Sequence, residues 1–285
     1  MIRYIAFRAA QLTAILLPRL WAYKLGVVVG LLAYLLLRDK RKALCDNLAH
    51  VKPELNSRDL SKLCRENMKL MAKAYVDLML LPRYSPQAIA KFLSFQGDEY
   101  LEQAKMRGKG VIIASVHMGS WEIAAAGWAS LHGNISMLAE ELDPPQLFKW
   151  YKKTRSRMGI RVYPLNRSGL MALIRDLKNG GIVIIAVDRD ITGNGALFNF
   201  FGKTTKMPIG AVVLALKTGA SILPVYIVRK KDNDILAVGT EPINPKSSGN
   251  YQDDVKNIME QLLNRMEGFI QKYPEQWHVP HPIWR

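Results

Sequence analysis

The chain predicts an α/β fold: a central, mostly parallel sheet covered by helices, preceded by an apolar and basic N-terminal segment. Three observations carry this expectation. Short, continuous apolar runs such as VIIASV at 111–116 and IVIIAV at 182–187 read as strands buried on both faces. Helical stretches separate these runs, the β–α–β alternation that parallel strands require for their crossovers. No repeat or low-complexity block divides the 285 residues, which are enough to bury a full core.

The elements follow in order. The stretch SRDLSKLCRENMKLMAKAYVDLMLL repeats apolar residues at Leu60, Leu63, Met71, Ala74 and Leu78, an amphipathic helix with Ser57 as its expected N-cap and Pro82 and Pro86 beyond its end. DEYLEQAKMRG is a short helix closed by Gly108, and it feeds the strand VIIASV. After His117 a helix is expected through about Leu131, then the strand NISMLAE. Pro144 and Pro145 open the helix QLFKWYKKTRSRM, and IRVYPL follows as a strand. The helix SGLMALIRDLK stops at Gly180 and Gly181, before IVIIAV. PIGAVVLALKTG has proline at its start and glycine at its end, as helices prefer. SILPVYIV and DILAVGTE read as strands, and a last helix runs from about Tyr251 to Lys272.

Charge narrows the partners. Lys and Arg number 40 against 24 Asp and Glu, a net +16, which suits nucleic acid or an anionic membrane equally. Position separates the two. Residues 1–42 carry eight basic side chains against the single acid Asp39, wrapped around the apolar runs YIAFRAAQLTAILL and LWAYKLGVVVGLLAYLLL. The second approaches the length of a membrane span but contains Lys24, and RDKRK follows where a signal peptide would place a cleavage site. Residues 1–42 are therefore expected to anchor the 43–285 α/β domain to an anionic membrane surface, with RDKRK at cytoplasmic headgroups. No helix-turn-helix, zinc knuckle or aromatic-basic platform supports nucleic-acid binding. Cys45 and Cys64 lack metal-ligand spacing, which argues against a zinc site or a disulfide framework and fits a reducing compartment.

The chemistry centres on HMGSWE at 117–122. A histidine at the end of an apolar strand can serve as a general base near neutral pH. Such a base needs a carboxylate on its other ring nitrogen to fix the tautomer, and Glu122, one turn into the following helix, is the candidate. Gly119 would allow close backbone approach, and the free N–H groups at the helix start could hold an oxyanion. The plain alternative is a strand-capping histidine and a carboxylate at the positive end of a helix. Ser120 as a nucleophile lacks the G-x-S-x-G turn.

The order HMGSWE, KKTRSRMG, VDRDITGNGALFNFFGKTTKMPIGAVVLALKTGASILPV and YPEQWHVPHPIW resembles the glycerolipid and glycolipid acyltransferases with an H-x-x-x-x-(D/E) signature. It is most similar to the branch holding lipid A lauroyl/myristoyl transferases and phosphatidylinositol mannoside acyltransferases. The resemblance implies a glycerolipid acyltransferase-like fold and transfer of a fatty acyl group from a thioester, acyl-CoA or acyl carrier protein, to a hydroxyl of a membrane glycolipid. It implies no metal or other cofactor and no acyl-enzyme, with His117 as base and Glu122 holding it. Arg155 falls where the family has a basic residue near the acceptor headgroup or the oxyanion; Asp188 and Asp190 fall where it has acids contacting the polar acceptor. FNFFG and the PIGAVVLALKTG helix are expected in the core, with an acyl-chain wall as a second reading, and His278 and His281 as structural. Glu122 in place of aspartate makes glycerol phosphate a poor acceptor. The tail and DRDI resemble the mannoside type more, leaving a mannosylated phospholipid or a lipid A precursor as acceptor at the inner membrane. A non-catalytic, basic membrane-binding relative is the alternative from another class.

Overall fold

The computed structural model describes residues 2–284. Four helices come first: α1 (Ile2–Leu16), α2 (Arg19–Leu36), α3 (Arg38–Val51) and α4 (Ser57–Leu80). The α/β part follows as α5 (Pro86–Ala90), β1 (Leu93–Gln96), α6 (Asp98–Met106), β2 (Val111–Ser115), α7 (Trp121–His132), β3 (Ile135–Ala139), α8 (Pro145–Arg157) and β4 (Ile160–Pro164). It continues through α9 (Arg167–Lys178), β5 (Ile182–Ala186), the hairpin β6 (Ala196–Phe200) and β7 (Lys203–Met207), α10 (Gly210–Thr218), β8 (Ser221–Arg229), β9 (Ile235–Gly239) and α11 (Tyr251–Lys272).

Among the described residues, seven strands form one sheet in the order β1-β9-β8-β2-β5-β3-β4. All neighbours are parallel except β8 and β9. Every residue of β2 and β8 is buried, because helices cover both faces of the sheet centre. One face packs on α9, α10, α11, α3 and α4 around Ile112, Leu173, Leu214, Ile222 and Leu262; the other packs on α5, α6 and α7 around Ile113, Ile123, Trp128 and Leu223.

Two strand features escape the sequence periodicity. β1 is only four residues long, and β6–β7 is a separate antiparallel hairpin whose second strand reads KTTKM. The N-cap of α4 is Asn56, whose side chain accepts from the Asp59 N–H, one residue before the expected Ser57. Cys45 and Cys64 are joined as a disulfide between α3 and α4, Cα atoms 5.7 Å apart, where the sequence spacing suggested no pairing.

The expected boundary at residue 42 falls inside α3, and α2 is packed lengthwise on α4. Glycines make that approach possible: a Cβ on Gly26 would lie 2.8 Å from Val76 Cγ2, and one on Gly30 would lie 2.7 Å from the Met68 carbonyl oxygen. Helix α2 is therefore bound into the fold along one side. The other side of α2 exposes Leu20, Trp21, Leu25, Val28, Val29 and Leu32, beside Ile5, Leu12 and Leu16 of α1. By length and composition α2 alone among the described helices is long and apolar enough to cross a membrane, with mean hydropathy 1.5.

Candidate active site

Parallel pairing of β2 and β5 builds the centre of the site. The register sets Ser115 beside Ala186, and the Val187 N–H donates to the Ser115 carbonyl at 2.9 Å. Two residues beyond that pair stand His117 and Asp188, so one register decision brings them together at the carboxyl end of the sheet. That is where open α/β sheets place ligands.

Asp188 is fully buried and makes three contacts. Its Oδ1 is 2.8 Å from His117 Nδ1, while its Oδ2 accepts from the His117 backbone N–H at 2.8 Å and from Trp277 Nε1 at 2.9 Å. Burial pushes the Asp188 carboxyl up, but the charge and hydrogen bonds of His117, with the Trp277 indole, outweigh it and leave the group below its ordinary value. Burial pushes the His117 imidazole down, yet the charge and hydrogen bond of Asp188 prevail and its pKa is raised. With Nδ1–H donated to a carboxylate, Nε2 is the basic nitrogen of the neutral ring.

This corrects the sequence reading. Glu122 does not hold His117; Asp188 does. The Glu122 carboxylate is committed elsewhere: Arg155 grips it through Nη2 at 2.5 Å and Nε at 3.1 Å, and Trp121 Nε1 donates at 3.2 Å. The reason is the loop between His117 and α7. Gly119 takes φ +58 with its N–H on the Gln276 carbonyl at 3.0 Å, and a Cβ there would lie 2.4 Å from the Ile227 carbonyl oxygen. Glu122 thus meets Arg155 of α8. Arg155 is accordingly one half of a buried ion pair, with Tyr151 against its guanidinium. The Gly119 N–H is already donated, so the free backbone donors of this loop are those of the first turn of α7, which no side chain caps.

Ser120 has its own partner. Its hydroxyl donates to Asp77, a buried carboxylate that also takes Tyr23 of α2 and Arg229 of β8. The 117–120 loop is thereby tied to α2, α4 and β8. Asp190 stays out of this centre: it folds its own loop, accepting from the backbone N–H groups of Gly193 at 3.0 Å and Gly195 at 2.8 Å. Neighbouring Arg189 faces Glu140 at 4.0 Å.

A cavity of about 320 Å³ opens at His117. Its polar part includes Glu122, Arg155, Arg189, Tyr75 and Tyr151; its apolar part runs along Ile113, Ala124, Ala125, Trp128, Met137 and Ile184. FNFFG and α10 do not line it. Phe200 and Phe201 instead pack with Trp277 and Trp284 in the core. Among the described residues no group of three His, Cys, Asp or Glu is placed to hold a metal ion. His278 does line the cavity, although its position in a proline-rich tail gave no sign of it.

The bacterial lipid A biosynthesis acyltransferase model matches residues 2–285. The chain belongs to this family. This acyltransferase is 30% identical over 243 residues to the phosphatidylinositol mannoside acyltransferase of Mycolicibacterium smegmatis, covering 84% of this chain and 77% of the relative. It is 25% identical over 255 residues to the lipid A biosynthesis palmitoleoyltransferase of Escherichia coli, covering 89% and 81%. The solved 1-acyl-sn-glycerophosphate acyltransferase of Thermotoga maritima aligns with a TM-score of 0.40 at 15% identity, over 87% of this chain and 95% of that one. The chain is a lipid-biosynthesis acyltransferase, as the resemblance implied.

Proposed function

We propose that this acyltransferase moves a fatty acyl group from an acyl thioester to a hydroxyl of a membrane glycolipid, with His117 as general base and Asp188 orienting it. The observation that carries the reading is the His117–Asp188 contact, which leaves Nε2 as the free base at a cavity with a polar and an apolar part. His117 Nε2 takes the proton of the acceptor hydroxyl while its oxygen attacks the thioester carbonyl. The tetrahedral intermediate collapses with loss of the thiolate, which recovers the proton from the imidazolium. Asp188 stabilises that imidazolium throughout. Uncapped N–H groups at the start of α7, together with the Arg155 guanidinium, hold the developing oxyanion or an acceptor phosphate. No cofactor or acyl-enzyme enters these steps. The acyl chain lies among Ile113, Ala124, Ala125, Trp128 and Met137.

The acceptor is a mannosylated phospholipid on this reading, favoured by the greater identity to the mannoside relative than to the palmitoleoyltransferase. A lipid A precursor is the second reading, favoured by the family model. Acyl-CoA and acyl carrier protein are the two donors to compare. The exposed apolar side chains of α1 and α2, with Arg3, Arg8, Arg38, Lys40, Arg41 and Lys42, seat the protein on the cytoplasmic face of the inner membrane. Purified protein supplied with labelled palmitoyl thioesters and both acceptors tests the proposal. Transfer to neither acceptor from either donor would refute it.

A further inference from the structure

His278 is a second imidazole in the wall of the cavity, and it is unlike the first. Its backbone N–H donates to the His117 carbonyl at 2.7 Å, so it stands one hydrogen bond from the catalytic loop. Trp121 lies between the two rings, with centroids 5.7 Å from His117 and 6.2 Å from His278. The His278 residue is 5% exposed.

Its tautomer follows from Asn67. The Asn67 side-chain N–H₂ donates to the carbonyls of Pro274 at 3.1 Å and Trp277 at 2.7 Å, which fixes the amide and turns its oxygen to His278 Nδ1 at 3.3 Å. An amide oxygen only accepts, so Nδ1 carries the proton and Nε2 carries the lone pair. Burial, then the positive charges of Arg229 and His117, push the His278 pKa down to about 3. The ring is neutral at any working pH and cannot switch roles. Nε2 is buried with no hydrogen-bond partner among the described residues. A buried acceptor left unmet costs folding free energy, and native proteins rarely leave one without a reason.

Resting on the function proposed above, we propose that His278 Nε2 accepts a hydrogen bond from a neutral O–H or N–H group of the bound substrate, beside the hydroxyl that His117 deprotonates. A fixed neutral acceptor favours donors of this kind over ethers, carbonyls and anions. Two substrate groups have the chemistry: a second hydroxyl of the acceptor sugar, next to the attacking one, and an amide N–H of the pantetheine arm of the donor. His278 would then act in specificity rather than in proton transfer.

The test uses His278→Asn and His278→Gln in the full chain. The asparagine amide reaches the Nδ1 position and keeps a donor for Asn67, but leaves nothing at Nε2. The glutamine amide reaches the Nε2 position with an oxygen that accepts. Each variant and the unaltered protein are assayed for kcat/KM in two arms. One compares a mannoside acceptor with its deoxy analogue lacking the neighbouring hydroxyl; the other compares acyl-CoA with the acyl thioester of a simple thiol that has no amide. The unaltered protein should prefer the complete substrate by about tenfold in one arm, the value of one hydrogen bond. His278→Asn should erase that preference by lowering kcat/KM for the complete substrate alone, and His278→Gln should restore most of it. The arm that responds identifies the source. Undiminished preference in both arms of a folded His278→Asn would overturn the inference and leave a buried water as the partner of Nε2. If His278→Asn does not fold, loss of preference in folded His278→Gln would overturn it equally. No transfer by the unaltered protein would instead bring down the proposed function itself.

Discussion

Replacing Asp188 by asparagine tests how His117 is held, and the structure sets the direction of the effect. Asp188 Oδ2 receives two N–H donors, from the His117 backbone and the Trp277 indole, and only an oxygen can serve both. In Asp188→Asn the amide oxygen stays there, and the NH₂ turns to His117 Nδ1. Nδ1 must then accept, so the proton moves to Nε2 and the base is lost. The same substitution in a serine-protease triad lowers kcat about 10⁴-fold, roughly 5.4 kcal/mol of transition-state stabilisation, and a similar loss is expected here. Volume and two of the three contacts persist, so the fold should survive.

The assay is single-turnover transfer of labelled palmitate across a pH series. Burial lowers the His117 pKa, but Asp188 raises it above the ordinary 6.5, so the acid limb of the unaltered enzyme should lie above that value. Only the neutral ring is a base, and activity should rise with pH through the raised pKa. In stability the His117 share runs the other way: it is fully present below 6.5 and lost as pH rises through the raised pKa. The Asp188 share, from a depressed pKa, is present above 3.8 and lost as pH falls through the folded value. Folded Asp188→Asn within tenfold of normal activity, beside Glu122→Gln reduced 10⁴-fold, would return the orienting role to Glu122 and refute this reasoning.

Three further outcomes are expected. Arg155→Lys should lose the two-pronged grip on Glu122 and cost roughly 1.5–3 kcal/mol of stability, read by thermal melting, whereas exposed Arg157→Lys should cost almost nothing; equal small shifts would make Arg155 an ordinary surface charge. Gly119→Ala forces a side chain into φ +58 against the Ile227 carbonyl and should destabilise by at least about 1–2 kcal/mol while reducing transfer, so a melt and turnover matching the unaltered protein would contradict the tight loop. Val29→Glu with Leu32→Glu changes side chains that are 55% and 50% exposed, so melting should hold while binding to anionic vesicles falls at least tenfold in a flotation assay; unchanged flotation would remove α2 from the membrane contact.

Strands and helices whose burial repeats along the chain are legible from residue order without any fold. VIIASV and SILPVYIV are almost wholly apolar because both faces of the sheet centre are covered, and IVIIAV is buried where it enters that centre; the pattern needs no knowledge of neighbours. It also marked His117, because a histidine closing such a run stands at the end of the sheet where ligands bind. Local periodicity was silent on β1, on the hairpin and on the burial of one face of α2, where short length, polar content or a helix partner decides.

The partners within the site were decided by tertiary structure alone. Glu122 is five residues from His117 and Asp188 is 71, yet the distant carboxylate holds the ring. Helix α7 and the turn at Gly119 give Glu122 to Arg155, 33 residues away, while the parallel register of β2 and β5 sets Asp188 beside His117. The matching ends of the two strands, Val116-His117 and Val187-Asp188, carried the signal, but only their pairing makes it a contact. His278 arrives from the far end of the chain, where the 274–278 backbone is pinned by Asn67 and the 117–119 loop. Hydrogen bonds of this kind join backbones that no sequence period relates, because they depend on how packed layers meet and not on the spacing within any one of them.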